Sequence, residues 1–186
     1  MYRAVTLKAL REGTDFNDRK ALEQVARSAT IELIPDGDSI LKVLLNGEDV
    51  TREIRGPQVS KNVSLVARVP EVRNHLVALQ RSMANRGGVV MEGRDIGTVV
   101  LPDARYKIFL TASSGERARR RREELRESGA DVDLRQVEEE ILARDEIDTR
   151  RDIDPLKPSL DAKVIDSSTF TAEQVVKMIL ARVSAR

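Results

Sequence analysis

Length, composition and charge limit the chemistry available to this chain. It has 186 residues, 40% of them hydrophobic, and a formal net charge of +1, which suits one domain with a sizeable core and argues against a binder of bulk polyanions. With no cysteine and a single histidine, disulfides, thiolate metal sites and histidine pairs for zinc are excluded. The chemistry must rest on Arg, Lys, Asp, Glu and Ser, and we interpret His75 as a surface residue of a helix.

The sequence has no marker of membrane insertion or export. No apolar run is long enough to span a bilayer, and the residues after Met1 lack the basic flank and apolar stretch of a signal peptide. We therefore expect a cytoplasmic protein with no membrane partner.

Arginine dominates the cationic residues, with 24 Arg against 8 Lys. A guanidinium is a planar fork that contacts two oxygens of a phosphate or carboxylate at once, so this bias favours phosphate recognition. A preference for GC-rich codons, with Arg on solvated helix faces, explains the same composition equally well. Composition alone leaves both explanations open.

Three helices are predicted in the first half of the chain. Residues 16–29 place apolar side chains at helical spacing, and either Asn17 or Asp18 can cap this helix. Two further helices, at residues 57–69 and at about 70–86, each have a proline near the first turn, where its missing N–H costs least.

A small antiparallel sheet is predicted between these helices. Residues 30–54 alternate apolar and polar side chains with a period of two, with a turn at residues 36–38 and a strong hairpin signal at Asn46-Gly47. We expect about three strands here. This antiparallel part looks like an insertion, at about residues 30–69, within an α/β core.

The second half of the chain has the pattern of a parallel sheet covered by helices. It contains three short apolar runs rich in β-branched residues, at residues 87–93, 106–112 and 163–168. Such runs are typical of strands that are buried on both faces. Two helices are predicted between them, at about residues 114–128 and 134–147, and a closing helix follows at residues 171–185. Residues 150–161 contain two prolines and are predicted to form a mobile loop.

A charged pair follows the first of these predicted strands. In an open α/β sheet, ligands bind beyond the carboxyl ends of the strands, where residues 92–95 fall. Gly93 and Gly97 permit a sharp turn. Arg94 could then contact an anion while Asp95 accepts hydrogen bonds from the same ligand. The alternative is a purely structural ion pair between Arg94 and Asp95.

The helix predicted at residues 114–128 is rich in arginine. It carries Arg117, Arg119, Arg120, Arg121, Arg122 and Arg126. Adjacent arginines repel one another, which is tolerable where ligand oxygens take up the charge. Glutamates at helical spacing can pair with them instead, so a solvated helix is an equal alternative. A second charged group, residues 144–152, precedes the predicted loop, and arginines beside a closing loop suit phosphoryl transfer.

Six blocks together resemble the bacterial cytidylate kinase family over nearly the whole chain. They are MYRAVTLKAL at the start, VSKNVSLVARVPEVR at 59–73, GRDIGTVVLPDA at 93–104, KIFLTASSGERARRR at 107–121, RDEIDTRR at 144–151 and PLKPSLDAKVIDSS at 155–168. The resemblance implies an α/β P-loop NTPase fold of the nucleoside monophosphate kinase type, with helices on both faces of a parallel sheet. It implies a single domain, residues 1–186, with the monophosphate-binding insertion at about 30–69 and a helical lid at about 114–158.

The resemblance also implies an activity and a set of site residues. The family transfers phosphate from ATP, with Mg²⁺, to CMP or dCMP. The implied contacts are Arg3, Arg94 and Arg151 to the CMP phosphate, Arg73 and Asp95 to the cytosine ring, Ser64, Arg144 and Asp148 to the sugar, and Arg117, Arg120 and Arg121 from the lid to the ATP phosphates. The implied catalytic residues are Arg94, Arg120, Arg121 and Arg151. No metal-ligand set is assigned to the chain, and we expect a monomer without a nucleic-acid partner.

One feature of the family pattern is missing from the sequence. Family members begin with a strand, a glycine-rich GxxGxGK[ST] loop and a helix, and no Gly-Lys-Ser or Gly-Lys-Thr occurs in this chain, so the lysine and hydroxyl that such a loop supplies are lacking. We expect the natural start to lie upstream of Met1. The alternatives are an inactive nucleotide-binding or RNA-associated remnant, and a P-loop kinase that acts on a different small acceptor.

Overall fold

The computed structural model of the protein describes residues 1–36, 40–85, 87–127 and 129–184. The chain divides into two compact units, residues 1–89 and 90–186. The elements of the first unit are α1 (Tyr2–Arg11), α2 (Arg19–Arg27), β1 (Ile31–Asp36), β2 (Ile40–Leu45), β3 (Glu48–Asp49), a 3₁₀ turn (Glu53–Arg55), α3 (Pro57–Ala67) and α4 (Pro70–Ala84).

The three predicted helices of the first unit begin where the sequence predicts. Asp18 caps α2, its carboxylate accepting hydrogen bonds from the backbone N–H groups of Lys20 and Ala21, and Pro57 and Pro70 lie in the first turns of α3 and α4. Helix α1 was not predicted. Its buried face belongs to the hydrophobic core of this unit, whose most buried large side chains are Val5, Leu22, Val50, Val66, Val69, Val72 and Leu76.

The antiparallel sheet of the first unit has the order β1-β2-β3. Leu45 pairs with Glu48 across the turn between β2 and β3, and the two turn residues, Asn46 and Gly47, have positive φ values of 52° and 85°, as the predicted hairpin requires. The predicted turn at residues 36–38 falls mostly outside the described residues. The third strand is only two residues long, because the Asp49 carboxylate accepts hydrogen bonds from the Thr51 N–H and hydroxyl and ends the extended run.

The second unit contains a parallel pair of strands and three helices among its described residues. After a turn of π-helix (Ile96–Val100) come β4 (Ile108–Thr111), α5 (Ser114–Glu127), α6 (Leu134–Arg150), β5 (Lys163–Asp166) and α7 (Ala172–Ser184). Strands β4 and β5 pair in parallel from Ile108 opposite Lys163, as the sequence predicts. The chain is therefore an α/β protein, and no helix in its described ranges is long and apolar enough to cross a membrane.

Two predictions for the second unit need correction. Residues 87–93 form no strand: no described strand pairs with them, and Val90 is fully exposed. A β-branched run becomes a strand only where a neighbour supplies the ladder hydrogen bonds, which the pattern alone cannot reveal. Helix α6 runs to Arg150 rather than to residue 147, which places most of the charged group at residues 144–152 on the helix itself.

Candidate active site

The predicted charged pair lies in a tight turn of the second unit. The Asp95 carbonyl oxygen accepts a 2.9 Å hydrogen bond from the Val99 N–H, which closes the turn over residues 95–99. A Cβ at Gly93 would lie 2.9 Å from Cγ1 of Ile96, closer than side-chain atoms normally approach. Glycine at position 93 therefore leaves room for the Ile96 side chain where the chain folds back.

Arg94 faces two carboxylates of α6. Its guanidinium lies 3.8 Å from Oδ1 of Asp145 and 3.7 Å from Oδ2 of Asp148, and its side chain is 40% exposed. Both distances exceed normal hydrogen-bond length, so these are loose ion pairs. The alternative prediction was an ion pair between Arg94 and Asp95. Among the described residues, Arg94 instead pairs with the two acids of α6.

Of the two acids of α6 that face Arg94, Asp148 is the more buried. Its side chain is 5% exposed, and Oδ2 lies 3.7 Å from Arg94 and 3.9 Å from Nε of Arg144. Among the described residues, this oxygen and Nε of Arg144 are buried without a hydrogen-bond partner. Burial, and then the positive charge of Arg94, lowers the pKa of the Arg144 guanidinium. A buried acceptor beside two cations has a free site for a donor from a ligand.

Asp95 has its own cationic neighbour. Oδ2 of Asp95 lies 3.7 Å from Nη2 of Arg151, and both side chains are buried, at 8% and 6% exposure. Nε of Arg151 donates a 2.6 Å hydrogen bond to the carbonyl oxygen of Asp154. The predicted loop after α6 thus orients Arg151 toward Asp95.

The three predicted lid arginines lie on α5 and have partners within the second unit. Arg117 donates to the Ala112 carbonyl oxygen at 3.1 Å and to Oδ2 of Asp145 at 2.5 Å. Arg120 donates to Glu116 and to Ser167. Arg121 donates to Glu124 at 2.9 Å. Arginines of α5 therefore pair with glutamates of the same helix, as the alternative of a solvated helix predicts. Arg117 and Arg120 also contact residues outside the helix.

The remaining predicted site residues belong to the first unit. Arg3 donates to the Ile54 carbonyl oxygen at 2.9 Å and to the Ser60 hydroxyl at 3.0 Å. Ser64 is buried on α3. Arg73 is 2% exposed on α4, and its guanidinium carbon lies 5.9 Å from the centre of the Tyr2 ring, a cation–π contact. Of these three residues of the first unit, Ser64 and Arg73 are buried.

Asp145 also lies among these charged side chains, although the sequence analysis predicted no role for it. It contacts both Arg94 and Arg117. The only signal for it in the sequence was its position within the charged group at residues 144–152. The three-residue spacing between Asp145 and Asp148 puts both acids on one face of α6. Extending the predicted helix through residue 148 would have shown that they share this face.

In the second unit, arginines and carboxylates lie together on an α/β scaffold, an arrangement that suits the binding of an anionic ligand. The family model described as cytidylate kinase matches residues 1–185. The chain therefore belongs to the cytidylate kinase family. This confirms the resemblance and the phosphotransferase class predicted from the sequence.

Individual relatives show the same similarity. A protein named cytidylate kinase from Pelotomaculum thermopropionicum is 62% identical over 185 residues, which is 100% of this chain and 82% of the relative. One from Desulforamulus reducens is 54% identical, over 97% of this chain and 80% of the relative. One from Geobacillus kaustophilus is 50% identical, over 100% of this chain and 83% of the relative. None of these matches supports the prediction that an N-terminal segment is missing, which stays a prediction.

Proposed function

We propose that this protein transfers the γ-phosphate of ATP to CMP or dCMP, giving CDP or dCDP in pyrimidine nucleotide metabolism. Family membership supports the reaction class. The proposal includes the P-loop NTPase fold, with the monophosphate-binding insertion at about residues 30–69 and the lid at about residues 114–158. We also propose a cytoplasmic monomer that needs no nucleic-acid partner.

The observation that carries this proposal is the environment of Asp148. Its buried Oδ2 accepts no hydrogen bond from the described residues and lies between the guanidinium groups of Arg94 and Arg144. A nucleotide matches both features, since a sugar hydroxyl can donate to the carboxylate while the phosphate lies against the guanidinium of Arg94. We assign Ser64, Arg144 and Asp148 to the sugar.

The phosphate of the acceptor is proposed to bind Arg3, Arg94 and Arg151. Arg94 suits this role because its ion pairs are loose and its side chain is partly exposed, so a phosphate can replace them at small cost. Charge-assisted, bidentate contacts of guanidinium with phosphate are stronger than such ion pairs. Because phosphoryl transfer depends mainly on positioning and charge stabilisation, these arginines would also act in catalysis.

The cytosine ring is proposed to bind Arg73 and Asp95. Arg73 can donate to the ring's acceptors, and Asp95 can accept from the exocyclic amine, which uracil lacks. Both side chains are buried, and Arg151 beside Asp95 compensates the carboxylate charge. Buried, oriented polar groups discriminate between such rings more sharply than exposed ones do.

ATP, with Mg²⁺, would supply the phosphoryl group. Arg117, Arg120 and Arg121 fit its phosphates chemically, and their spacing on α5 places them on neighbouring positions of one helix. Arg120 and Arg121 would also compensate charge that develops during transfer. The P-loop of this fold class cradles ATP, and the 186 residues contain no Gly-Lys-Ser or Gly-Lys-Thr.

Calorimetric titration of the chain with CMP, without ATP, tests the acceptor site directly. We expect CMP to bind, and Asp148→Asn to weaken binding by about 10-fold, because a charge-assisted hydrogen bond becomes a neutral one. Glu146→Gln is the matched control: Glu146 lies on the same helix, pairs with Arg150 on its exposed surface, and should leave CMP affinity unchanged. Circular dichroism confirms that each variant is folded.

The titration also separates the proposal from the alternatives. Failure of the folded chain to bind CMP, or equal affinity for CMP and an unrelated small acceptor, would contradict the proposed substrate. Binding to RNA that falls steeply with salt and is insensitive to CMP would favour the RNA-associated alternative.

A further inference from the structure

Asp145 lies between two arginines that the proposed function places on opposite sides of the reaction. Its Oδ2 accepts a 2.5 Å hydrogen bond from Nη1 of Arg117 on α5. Its Oδ1 lies 3.8 Å from Nη1 of Arg94. One carboxylate thus serves an arginine of the donor side and an arginine of the acceptor side, with one oxygen for each.

The two contacts differ in strength. The Arg117 contact is a short, charge-assisted hydrogen bond, and Arg117 is further fixed by its bond to the Ala112 carbonyl oxygen. The Arg94 contact exceeds hydrogen-bond length, and the Arg94 side chain is more exposed than that of Asp145, 40% against 24%. When a third group competes for these arginines, Arg94 is therefore the one that leaves Asp145.

The phosphate of a nucleoside monophosphate is such a competitor. It carries close to two negative charges at neutral pH and binds guanidinium through more than one oxygen. While it approaches Arg94, the negative charge of Asp145 repels it, so the carboxylate lowers the affinity for the acceptor. The same carboxylate keeps Arg117 in one position. Phosphoryl transfer requires such fixed positions of the charged groups around the transferred phosphate.

We propose that Asp145 is a positioning residue that holds Arg117 permanently and releases Arg94 to the phosphate of the acceptor nucleotide. This inference rests on the proposed function. It implies a separation of effects: the charge of Asp145 weakens acceptor binding but supports turnover. A residue with a merely structural role would, when replaced, weaken both.

The test uses Asp145→Asn, which removes the charge and keeps the shape. CMP titration by calorimetry, without ATP, should show binding unchanged or tighter by up to about fivefold, the range for a partly exposed ion pair. In a fused form, in which a strand, P-loop and helix of the family pattern precede Met1, kcat should fall by about 10-fold to 100-fold, because Arg117 loses its anchor. Glu146→Gln, with the same charge change one residue away, should alter neither quantity.

A second variant reverses the sign of the binding effect. Arg117→Gln leaves Asp145 free to pair with Arg94 alone, so CMP binding should weaken by about twofold to fivefold, and adding Asp145→Asn to it should restore the affinity. Weaker CMP binding by Asp145→Asn, an unchanged kcat, or no restoration in the double variant would overturn the inference. Absence of CMP binding by the unsubstituted chain would instead contradict the proposed function.

Discussion

Ser167 holds the guanidinium of Arg120 at the end of β5. Nη1 of Arg120 donates to the Ser167 hydroxyl at 3.1 Å, and Nη2 donates to the Ser167 carbonyl oxygen at 2.7 Å. Nε donates to Glu116 on the same helix at 2.8 Å. Because all three nitrogens are engaged, Arg120 is positioned by the strand end as well as by its own helix.

Replacing Ser167 should therefore affect the ATP side of the proposed reaction. Ser167→Ala removes the hydroxyl contact and leaves one donor of Arg120 without this partner. We expect KM for ATP to rise by about threefold to tenfold, the cost of one ordinary hydrogen bond, and the dissociation constant for CMP to stay unchanged. Steady-state kinetics of the fused form measure KM. Thr169→Ala, an exposed neighbour, is the control, and an equal change in both variants would exclude a specific role for Ser167.

Asp95 should determine the choice of base. Asp95→Ala removes the acceptor for the cytosine amine, so kcat/KM for CMP should fall by about 10-fold to 100-fold more than kcat/KM for UMP. Competition assays with both nucleotides in one reaction give this ratio directly. Asp103→Ala, an exposed acid of the same segment, should leave the ratio unchanged. Equal losses for CMP and UMP after Asp95→Ala would remove the base-reading role.

Lys107 should stabilise the second unit. Its side chain is 9% exposed, and its ammonium group contacts the carbonyl oxygen of Pro102 and, at 2.6 Å, the carboxylate of Asp161. Lys107→Met keeps the stem and deletes these contacts, which should lower the free energy of unfolding by about 1–3 kcal/mol in urea titrations. Lys157→Met, at an exposed position, should have no measurable effect. Equal midpoints for the two variants would show that the Lys107 contacts contribute nothing.

Acid should weaken the first turn of α5. The guanidinium of Arg119, and then that of Arg120, lowers the pKa of Glu116 to about 2 from an ordinary value of 4.5. Since the folded-state pKa is depressed, the stabilisation by Glu116 is complete above pH 4.5 and is lost as the pH falls toward 2. The difference in Tm between the unsubstituted chain and Glu116→Gln should be constant from pH 7 to 5 and should shrink below 4.5.

Glu127→Gln is the matched control for this pH dependence, because Glu127 is an exposed acid of the same helix. Its Tm difference from the unsubstituted chain should not follow the same curve. A Glu116→Gln difference that stays constant down to pH 3 would contradict the ion-pair account.

Local signals predicted most elements of the fold. Asp18, Pro57 and Pro70 each mark a helix start because capping and proline geometry act within one turn, and Asn46-Gly47 marks the hairpin for the same reason. Helix α1 was missed because no side chain caps its first turn. Residues 87–93 were assigned to a strand wrongly, because ladder partners are a tertiary property that β-branched composition does not encode.

The site was predictable to the extent that single residues carry its chemistry. Arg94 was singled out from its place after a predicted strand, and Asp148 and Arg151 were named through the family resemblance. Whether the three residues bind nucleotide stays a prediction. The role of Asp145 was not predictable, because its contact with Arg117 depends on how α5 packs on α6. Which arginines are loose and which are fixed is likewise a matter of distances between elements that lie far apart in the sequence.

The most direct test of the proposed function is the formation of CDP from CMP. The unfused chain and the fused form are each incubated with ATP, Mg²⁺ and CMP, and nucleotides are separated by anion-exchange chromatography. We predict that the fused form converts CMP to CDP with equal release of ADP, and converts UMP far more slowly. A folded fused form that binds ATP but makes no CDP would contradict the assignment of this chain as a kinase of cytidine monophosphates.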